Sequence, residues 1–270
     1  MVYAKDFIEI DLGREKIPLE KLIGIDVVIH LMGESVDGYW TKTKKKSIYD
    51  SRILSSQNLV ESILRLPAEQ KKPIVVSASA QGIYGDAEEQ ILIESDVLDQ
   101  ASGDFLQQVC KDWERPFLDL AQATGTRTVQ LRFPMVLDPN FGALKKLIGV
   151  FNKNVGAVFS DGRQWVSWAA SEDIINIIVF MINSTKTHGP FNCAAPGPLT
   201  NKDFTHALAK KLNVFTLPSV PRLVLKTLFG EMSSLFLNST RLSSERLTQL
   251  GYQFKWSRFE DYLNHALKKQ

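Results

Sequence analysis

The sequence predicts an α/β fold: a Rossmann-like doubly wound parallel sheet followed by a small, mostly helical C-terminal domain. Three observations carry this. Residues 26–32 (IDVVIHL begins at 25) and Ile74, Val75 and Val76 form near-continuous apolar runs, as expected of strands buried on both faces. Between them Ile48, Leu54, Leu59, Val60, Ile63 and Leu64 recur at helical spacing. Strand, helix and strand therefore alternate, the pattern of a parallel sheet with helices on both faces.

Taken in order, residues 6–12 (DFIEIDL) alternate and read as a strand. Residues 18–23 read as a short helical piece, with Pro18 near its first turn, where a missing N–H costs nothing. Residues 26–32 are the second strand, and Gly33 follows where the backbone must turn sharply or approach a ligand. A helix over 43–66 ends before Pro67, and Pro67 and Pro73 bracket the loop into a central strand, PIVVSASAQGIYGD, over 73–86. Its apolar half gives way to Ser77, Ala78, Ser79 and Ala80. In open α/β sheets ligands bind outside the carboxyl ends of the strands. Small side chains there let a flat ligand reach the backbone, and the hydroxyls can hydrogen-bond a carbonyl or alkoxide; the alternative is an ordinary strand end closed by a polar turn.

Asp104, with Gln107 three residues on, starts a capping box, and Phe105, Leu106, Val109, Cys110, Trp113 and Phe117 mark one helix face. Pro116 predicts a kink or an early end to that helix. Residues 126–137 read as one strand. Ser171, Glu172 and Asp173 open an apolar helix reaching Ile182, with the acidic residues at its positive end. Residues 192–199 read as extended, and Thr200 caps a helix around 204–212 with Asp203 completing the capping box. Beyond Asn213 the texture changes: Pro218 and Pro221 mark a linker, and short helices end near Gly230 and Gly251. This places a domain boundary between 1–213 and 214–270.

Composition narrows the function classes. The 270 residues carry a net charge of +2, so no global field favours nucleic acid or an anionic membrane. Lys42 and Lys44 to Lys46 form a local basic run, read either as a solvated helix start or as a phosphate-steering patch. The 2 cysteines, Cys110 and Cys193, are far apart, which fits a reducing compartment without a disulfide framework or zinc site. The 4 histidines are scattered, so no metal is expected. There is no signal-peptide pattern, and the longest apolar run, 174–182, is too short to span a bilayer. A soluble cytoplasmic protein acting on a small molecule is expected, without nucleic-acid or membrane partners.

Several stretches together carry a resemblance. Asp26-Val27-Val28-Ile29-His30-Leu31-Met32-Gly33-Glu34 forms a strand and loop of the DVVxxLAGE type. Gly38-Tyr39-Trp40-Thr41, Lys45, Ile48 and Ser51-Arg52-Ile53 follow an RWT…K..I..SRI pattern. Phe105-Leu106, Val109-Cys110 and Trp113-Glu114 follow FLxxVCxxWE. Leu131-Arg132, Val136-Leu137, Gly142-Ala143-Leu144, residues 162–168 (GRQWVSW), Gly230-Glu231-Met232, Ser239 and Arg241 complete the ordered set. No single piece is specific; the order, over nearly the whole chain, resembles the epimerase family of extended short-chain dehydrogenases. The resemblance implies a domain that binds NAD or NADP and acts as an oxidoreductase or epimerase on a small, nucleotide-sugar-like substrate. It leaves a homodimer open.

The resemblance also assigns positions. Leu31, Met32, Gly33, Glu34, Ser77, Ala78, Ser79 and Arg132 would lie along the cofactor. Trp40, Arg163, Gln164, Trp165 and Trp168 would face substrate, with core packing as the alternative for the tryptophans. Arg52 is another family-typical position near the cofactor edge. The superfamily's catalytic Tyr and Lys would fall at Leu106 and Cys110, which can neither transfer a proton nor hold a fixed positive charge. Ser79 matches the superfamily's Ser, with Ser77 as second choice, and Tyr84 could stand in as proton donor. A usual Thr-Gly pair reads Phe133-Pro134, and a usual Trp-Ile-His reads Trp168-Ala169-Ala170.

One departure is larger. No GxxGxxG occurs anywhere, although the family, like any dinucleotide-binding fold of this kind, carries a Gly-rich turn that brings backbone to the pyrophosphate. The match begins at what resembles the third strand, with roughly 45 residues of strand and helix lacking. The expectation is a truncated reading frame; the alternative is a shrunken sheet. Residues 26–32 then form an exposed edge, unless residues 6–12 move beside them through a minimal crossover. For function, an enzyme completed by a Gly-rich segment stands against a degenerate domain that binds a ligand or partner without turnover.

Overall fold

The computed structural model describes residues 8–97 and 104–268. Its strands are β1 (Val27–His30), β2 (Ile74–Ala80), β3 (Ile91–Leu92), β4 (Thr128–Phe133), β5 (Met135–Leu137), β6 (Ala157–Phe159), β7 (Trp165–Val166), β8 (Trp168–Ala170), β9 (Gly189–Asn192), β10 (Leu199–Thr200), β11 (Leu217–Val220) and β12 (Arg241–Leu242). The helices are α1 (Lys42–Leu64), α2 (Phe105–Thr124), α3 (Gly142–Phe151), α4 (Ser171–Asn183), α5 (Asn201–Leu212), α6 (Arg222–Phe229), α7 (Ser234–Leu237), α8 (Glu245–Gln249) and α9 (Phe259–Ala266). The central sheet is parallel, in the order β1-β2-β4-β9. The chain thus has the Rossmann-like parallel sheet with helices that its apolar runs predict.

Side-chain alternation along β2 assigns the faces. Val75 packs with Leu59, Ile63, Phe117 and Leu120 under α1 and α2. Val76 points the other way, into a cluster with Leu131, Ile177, Met181 and Phe191 under α4. A third cluster joins Trp168, Phe204, Leu208, Phe259 and Tyr262, so α5 and α9 are packed against the separate β5–β8 pair. Asp173, fully buried at the start of α4, accepts from the backbone N–H of Lys255 at 2.8 Å and of Trp256 at 3.1 Å. That carboxylate fixes the C-terminal segment to the sheet domain.

The caps follow the sequence. Asp104 accepts from the N–H groups of Leu106 and Gln107, and Thr200 accepts from Asp203 N–H. Four expectations need correction. Residues 8–12 of the first expected strand are irregular, with Asp11 accepting from Gly13 N–H; Asp6 and Phe7 lie outside the described residues. Helix α2 runs through Pro116 without interruption, its two halves held by buried side chains on either side, Trp113 in one cluster and Phe117 and Leu120 in another. The strand expected over 126–137 splits at Pro134: β4 stays in the central sheet while β5 pairs with β8. Proline removes the N–H a continuous ladder would need. The extended stretch at 192–199 is the end of β9 and the start of β10, and the linker at 218–221 contains β11, which pairs with β6.

Among the described residues β1 pairs only with β2, so its outer edge is open. Ile29 is 46% exposed there and Leu31 53%. No helix among the described residues is long and apolar enough to cross a membrane, and no group of His, Cys, Asp and Glu is arranged to hold a metal.

Candidate functional site

The parallel register sets Ser79, Arg132 and Asn192 side by side at the carboxyl ends of β2, β4 and β9. Helix α2 brings Glu114 over this row, and a tight helical turn over Gln81–Tyr84 folds Tyr84 back onto it. Glu114 receives a bidentate pair from Arg132, Nε to Oε1 and Nη2 to Oε2, both at 2.9 Å. Ser79 Oγ donates to Glu114 Oε1 at 2.6 Å. Arg132 Nη1 donates to Tyr84 Oη at 2.8 Å and to the Glu94 carbonyl at 2.8 Å. Tyr84 Oη in turn donates to Asn192 Oδ1 at 2.7 Å.

The network is buried: Tyr84 is 0% exposed, Ser79 1%, and Glu114 and Arg132 3% each. Burial pushes the Tyr84 hydroxyl up to about 12, against the opposing pull of Arg132. Burial by itself would lower the Arg132 pKa, but the paired Glu114 carboxylate raises it. One row earlier, His30 is buried against Phe117 with Nε2 3.1 Å from Ser55 Oγ, and burial lowers its pKa to about 4. Cys110 is fully enclosed, and burial lifts its thiol to about 12.

Beside this network a cavity of about 360 Å³ opens at the carboxyl ends of β1, β2 and β4. Leu31, Met32, Gly33 and Ala78 line it together with Arg52, Trp113, Phe133, Val136 and the α4 residues Ser171, Ile174, Ile175 and Ile178. Gly33 lets the loop lie close over Arg52: a Cβ there would lie 2.9 Å from Arg52 Cζ, and the guanidinium would have to shift. The α1 N-cap Thr41 accepts from Lys44 N–H and starts the helix that carries Arg52 under the loop.

Of the residues the resemblance assigns to the cofactor, Leu31, Met32, Gly33 and Ala78 are brought together at this cavity. Glu34 lies next to it, its carboxylate on Lys44 at 2.5 Å. Ser77 is buried behind the tip, 3.4 Å from the Val129 carbonyl, and Ser79 and Arg132 belong to the network. The residues assigned to substrate are dispersed. Trp40 packs edge-on to Phe105 and donates to the Val36 carbonyl. Arg163 is exposed beside Asp161. Gln164 is buried and donates to the carbonyls of Phe159 and Phe236. Trp165 donates to Glu89 and lies 4.0 Å from the Arg241 guanidinium. Trp168 is fully buried, edge-on to Phe259 and tilted against Tyr262, with Nε1 on the Gly197 carbonyl.

The resemblance places the loop 133–137 near the nicotinamide, and Phe133 and Val136 line the cavity; sequence reasoning did not single out Glu114, Asn192 or the α4 isoleucines. A signal existed for Glu114: it sits on the apolar face of its helix, one turn past Cys110, and Arg132 in an apolar strand demands a buried counter-charge.

A parallel sheet in this order, with a cavity at its carboxyl edge, is the Rossmann-like arrangement in which ligands bind outside the strand ends. Residues 2–194 match the NAD dependent epimerase/dehydratase family, and the chain belongs to it. Residues 220–266 match a domain of unknown function, DUF1731. An epimerase family protein of Staphylococcus epidermidis is 32% identical over 244 residues, spanning 90% of this chain and 80% of that protein. The structure of the human epimerase family protein SDR39U1 with NADPH superposes with a TM-score of 0.81 at 22% identity, over 94% of this chain and 84% of that one. A nucleoside-diphosphate sugar epimerase from Corynebacterium glutamicum gives 0.71 at 30% identity, over 93% of this chain and 48% of that one.

Proposed function

We propose that this protein binds the nicotinamide half of NAD or NADP in the cavity at the carboxyl edge of its sheet, next to a small substrate. The observation that carries this is the cavity itself, walled by Met32, Ala78 and Phe133 and left open by the missing Cβ of Gly33. A flat ring fits such walls, and the bound nicotinamide would supply hydride chemistry. The chain's own part is to orient the ring, exclude water and hold the sheet edge rigid through Glu114 and Arg132.

The pyrophosphate half fits less well. No Gly-rich turn occurs in the sequence, and the β1 edge where a phosphate-binding strand, turn and helix would pair is open among the described residues. Full-strength dinucleotide binding therefore calls for such a unit at that edge. A proton carrier is the second gap. Ser79 and Tyr84, proposed from the resemblance as catalytic, already have their hydroxyls engaged by Glu114, Arg132 and Asn192. This favours the reading that the chain binds its ligand without turnover. The free buried thiols Cys110 and Cys193 support a reducing, cytoplasmic setting.

Calorimetry with reduced nicotinamide mononucleotide, NADPH and NADH tests the proposal. Binding of the mononucleotide with an affinity within about tenfold of NADPH, a gap of ~1.4 kcal/mol, is expected. A much tighter NADPH would mean a phosphate cradle lies elsewhere, and no binding of any of the three would refute the assignment.

A further inference from the structure

Among the described residues Arg52 forms no ion pair, although Glu34 lies near enough to favour its charge. Arg52 Nη1 donates to the carbonyls of Glu34 at 2.9 Å and Ile48 at 3.0 Å, and its guanidinium lies 4.9 Å from the Trp113 ring. Nε and Nη2 have no acceptor among the described residues, and no carboxylate there pairs with Arg52. Glu34, the nearest acidic residue in sequence, is taken by Lys44. Partly buried guanidinium groups are ordinarily paired, because desolvating the charge is costly. Arg52 also lines the 360 Å³ cavity, where a ligand could supply the partner that the described residues do not.

The surroundings specify what would complete the pair. Gly33 packs against the guanidinium so closely that any side chain there would displace it. Trp113 supports the ring face, so the group is held in place and its free edge presents two N–H donors. Two parallel donors match two oxygens of one oxyanion. Apart from Ser171 the remaining walls, Met32, Phe133, Val136 and Ile174 among them, are apolar, so a single oxyanion on a flat apolar body is accommodated.

We infer that Arg52 is the anion anchor of this cavity and takes one oxyanion, a carboxylate or a phosphate monoester, borne on a flat apolar body. The inference rests on the reading of the sheet edge as the ligand site and deepens it, because the oxyanion has two sources: the phosphate of a nicotinamide mononucleotide or the carboxylate of a substrate.

The test is calorimetric titration of the wild-type chain, Arg52→Met, Arg52→Lys and Gly33→Ala with two matched pairs of probes. One pair is reduced nicotinamide mononucleotide and reduced nicotinamide riboside, whose dihydropyridine rings are uncharged, the second phenylbutyrate and phenylbutyramide. The anionic member of at least one pair should bind about tenfold to a hundredfold more tightly than its neutral partner, as two charge-assisted hydrogen bonds would give. That preference should vanish in Arg52→Met, shrink in Gly33→Ala and return in part in Arg52→Lys. Circular dichroism confirms the fold of each variant, and Gly33→Ala keeps the test intact if Arg52→Met does not fold. Equal binding of anionic and neutral partners, or a preference untouched by Arg52→Met, overturns the inference and leaves the nicotinamide proposal standing. An Arg52-dependent preference for phenylbutyrate, with neither nicotinamide probe bound, sustains the inference and refutes the nicotinamide proposal. No binding by any probe overturns both.

Discussion

Replacing Glu114 with Gln tests whether the buried network is what holds the site. Glu114 and Arg132 are both 3% exposed, and Glu114 accepts from Arg132 Nε, Arg132 Nη2 and Ser79 Oγ. The amide removes the negative charge and turns one acceptor into a donor that faces a guanidinium. Removing one partner of a buried pair leaves the other charge uncompensated and costs about 3–5 kcal/mol. At about 2–4 °C per kcal/mol for a chain of this size class, the midpoint should fall by about 6–20 °C. Urea and thermal unfolding followed by far-UV circular dichroism would read this. The double variant Glu114→Leu with Arg132→Met removes both charges, and it should recover more than half of the loss. A cost below about 1 kcal/mol for Glu114→Gln, the level of a solvent-screened pair, would refute the reasoning. So would a double variant no more stable than the single one.

Three further predictions follow from the packing. His30 has its pKa lowered to about 4 by burial, so the unfolded chain binds a proton in the window from about pH 6.5 down to 4 that the folded chain does not. Stability should therefore be full above pH 6.5 and fall through that window by about 3 kcal/mol, and this loss should be absent in His30→Leu when urea unfolding is repeated across pH. Trp168→Ala should cost about 3–5 kcal/mol in the same assay, because the ring is fully buried between Phe259, Tyr262 and α5. Asp173→Ala removes the acceptor of the Lys255 and Trp256 N–H groups, and limited proteolysis should then cut first near residues 251–258, ahead of any cleavage in α4.

Much of the fold was legible in the sequence because its signals are local. Apolar runs at 26–32 and 74–76 mark strands buried on both faces, and Asp104 and Thr200 mark helix starts by the donors they satisfy. What was not legible depended on contacts distant in sequence. Pro116 reads locally as a breaker, yet α2 continues because the core binds both halves. Pro134 falls inside the single strand read over 126–137, yet the chain breaks there and β5 pairs in a different sheet. The candidate site divides in the same way. Gly33 and Ala78 were readable as places where a ligand meets backbone. The burial of Trp168 and the hydroxyl partners of Ser79 and Tyr84 were not, since they depend on α9, on Glu114 and on Asn192. Arg52 looks like a solvated helix residue until Gly33 and Trp113 are seen to enclose it.

The most direct test of the central claim, that the carboxyl-edge cavity is the ligand site, is the amide NMR spectrum of the protein titrated with reduced nicotinamide mononucleotide. The account predicts saturable shifts at residues 31–34, 78–80 and 133–136, with the Arg52 Nε–H among them. Shifts confined instead to the open cleft between α1 and α2, around Tyr49, Glu61 and Asp119, would contradict it.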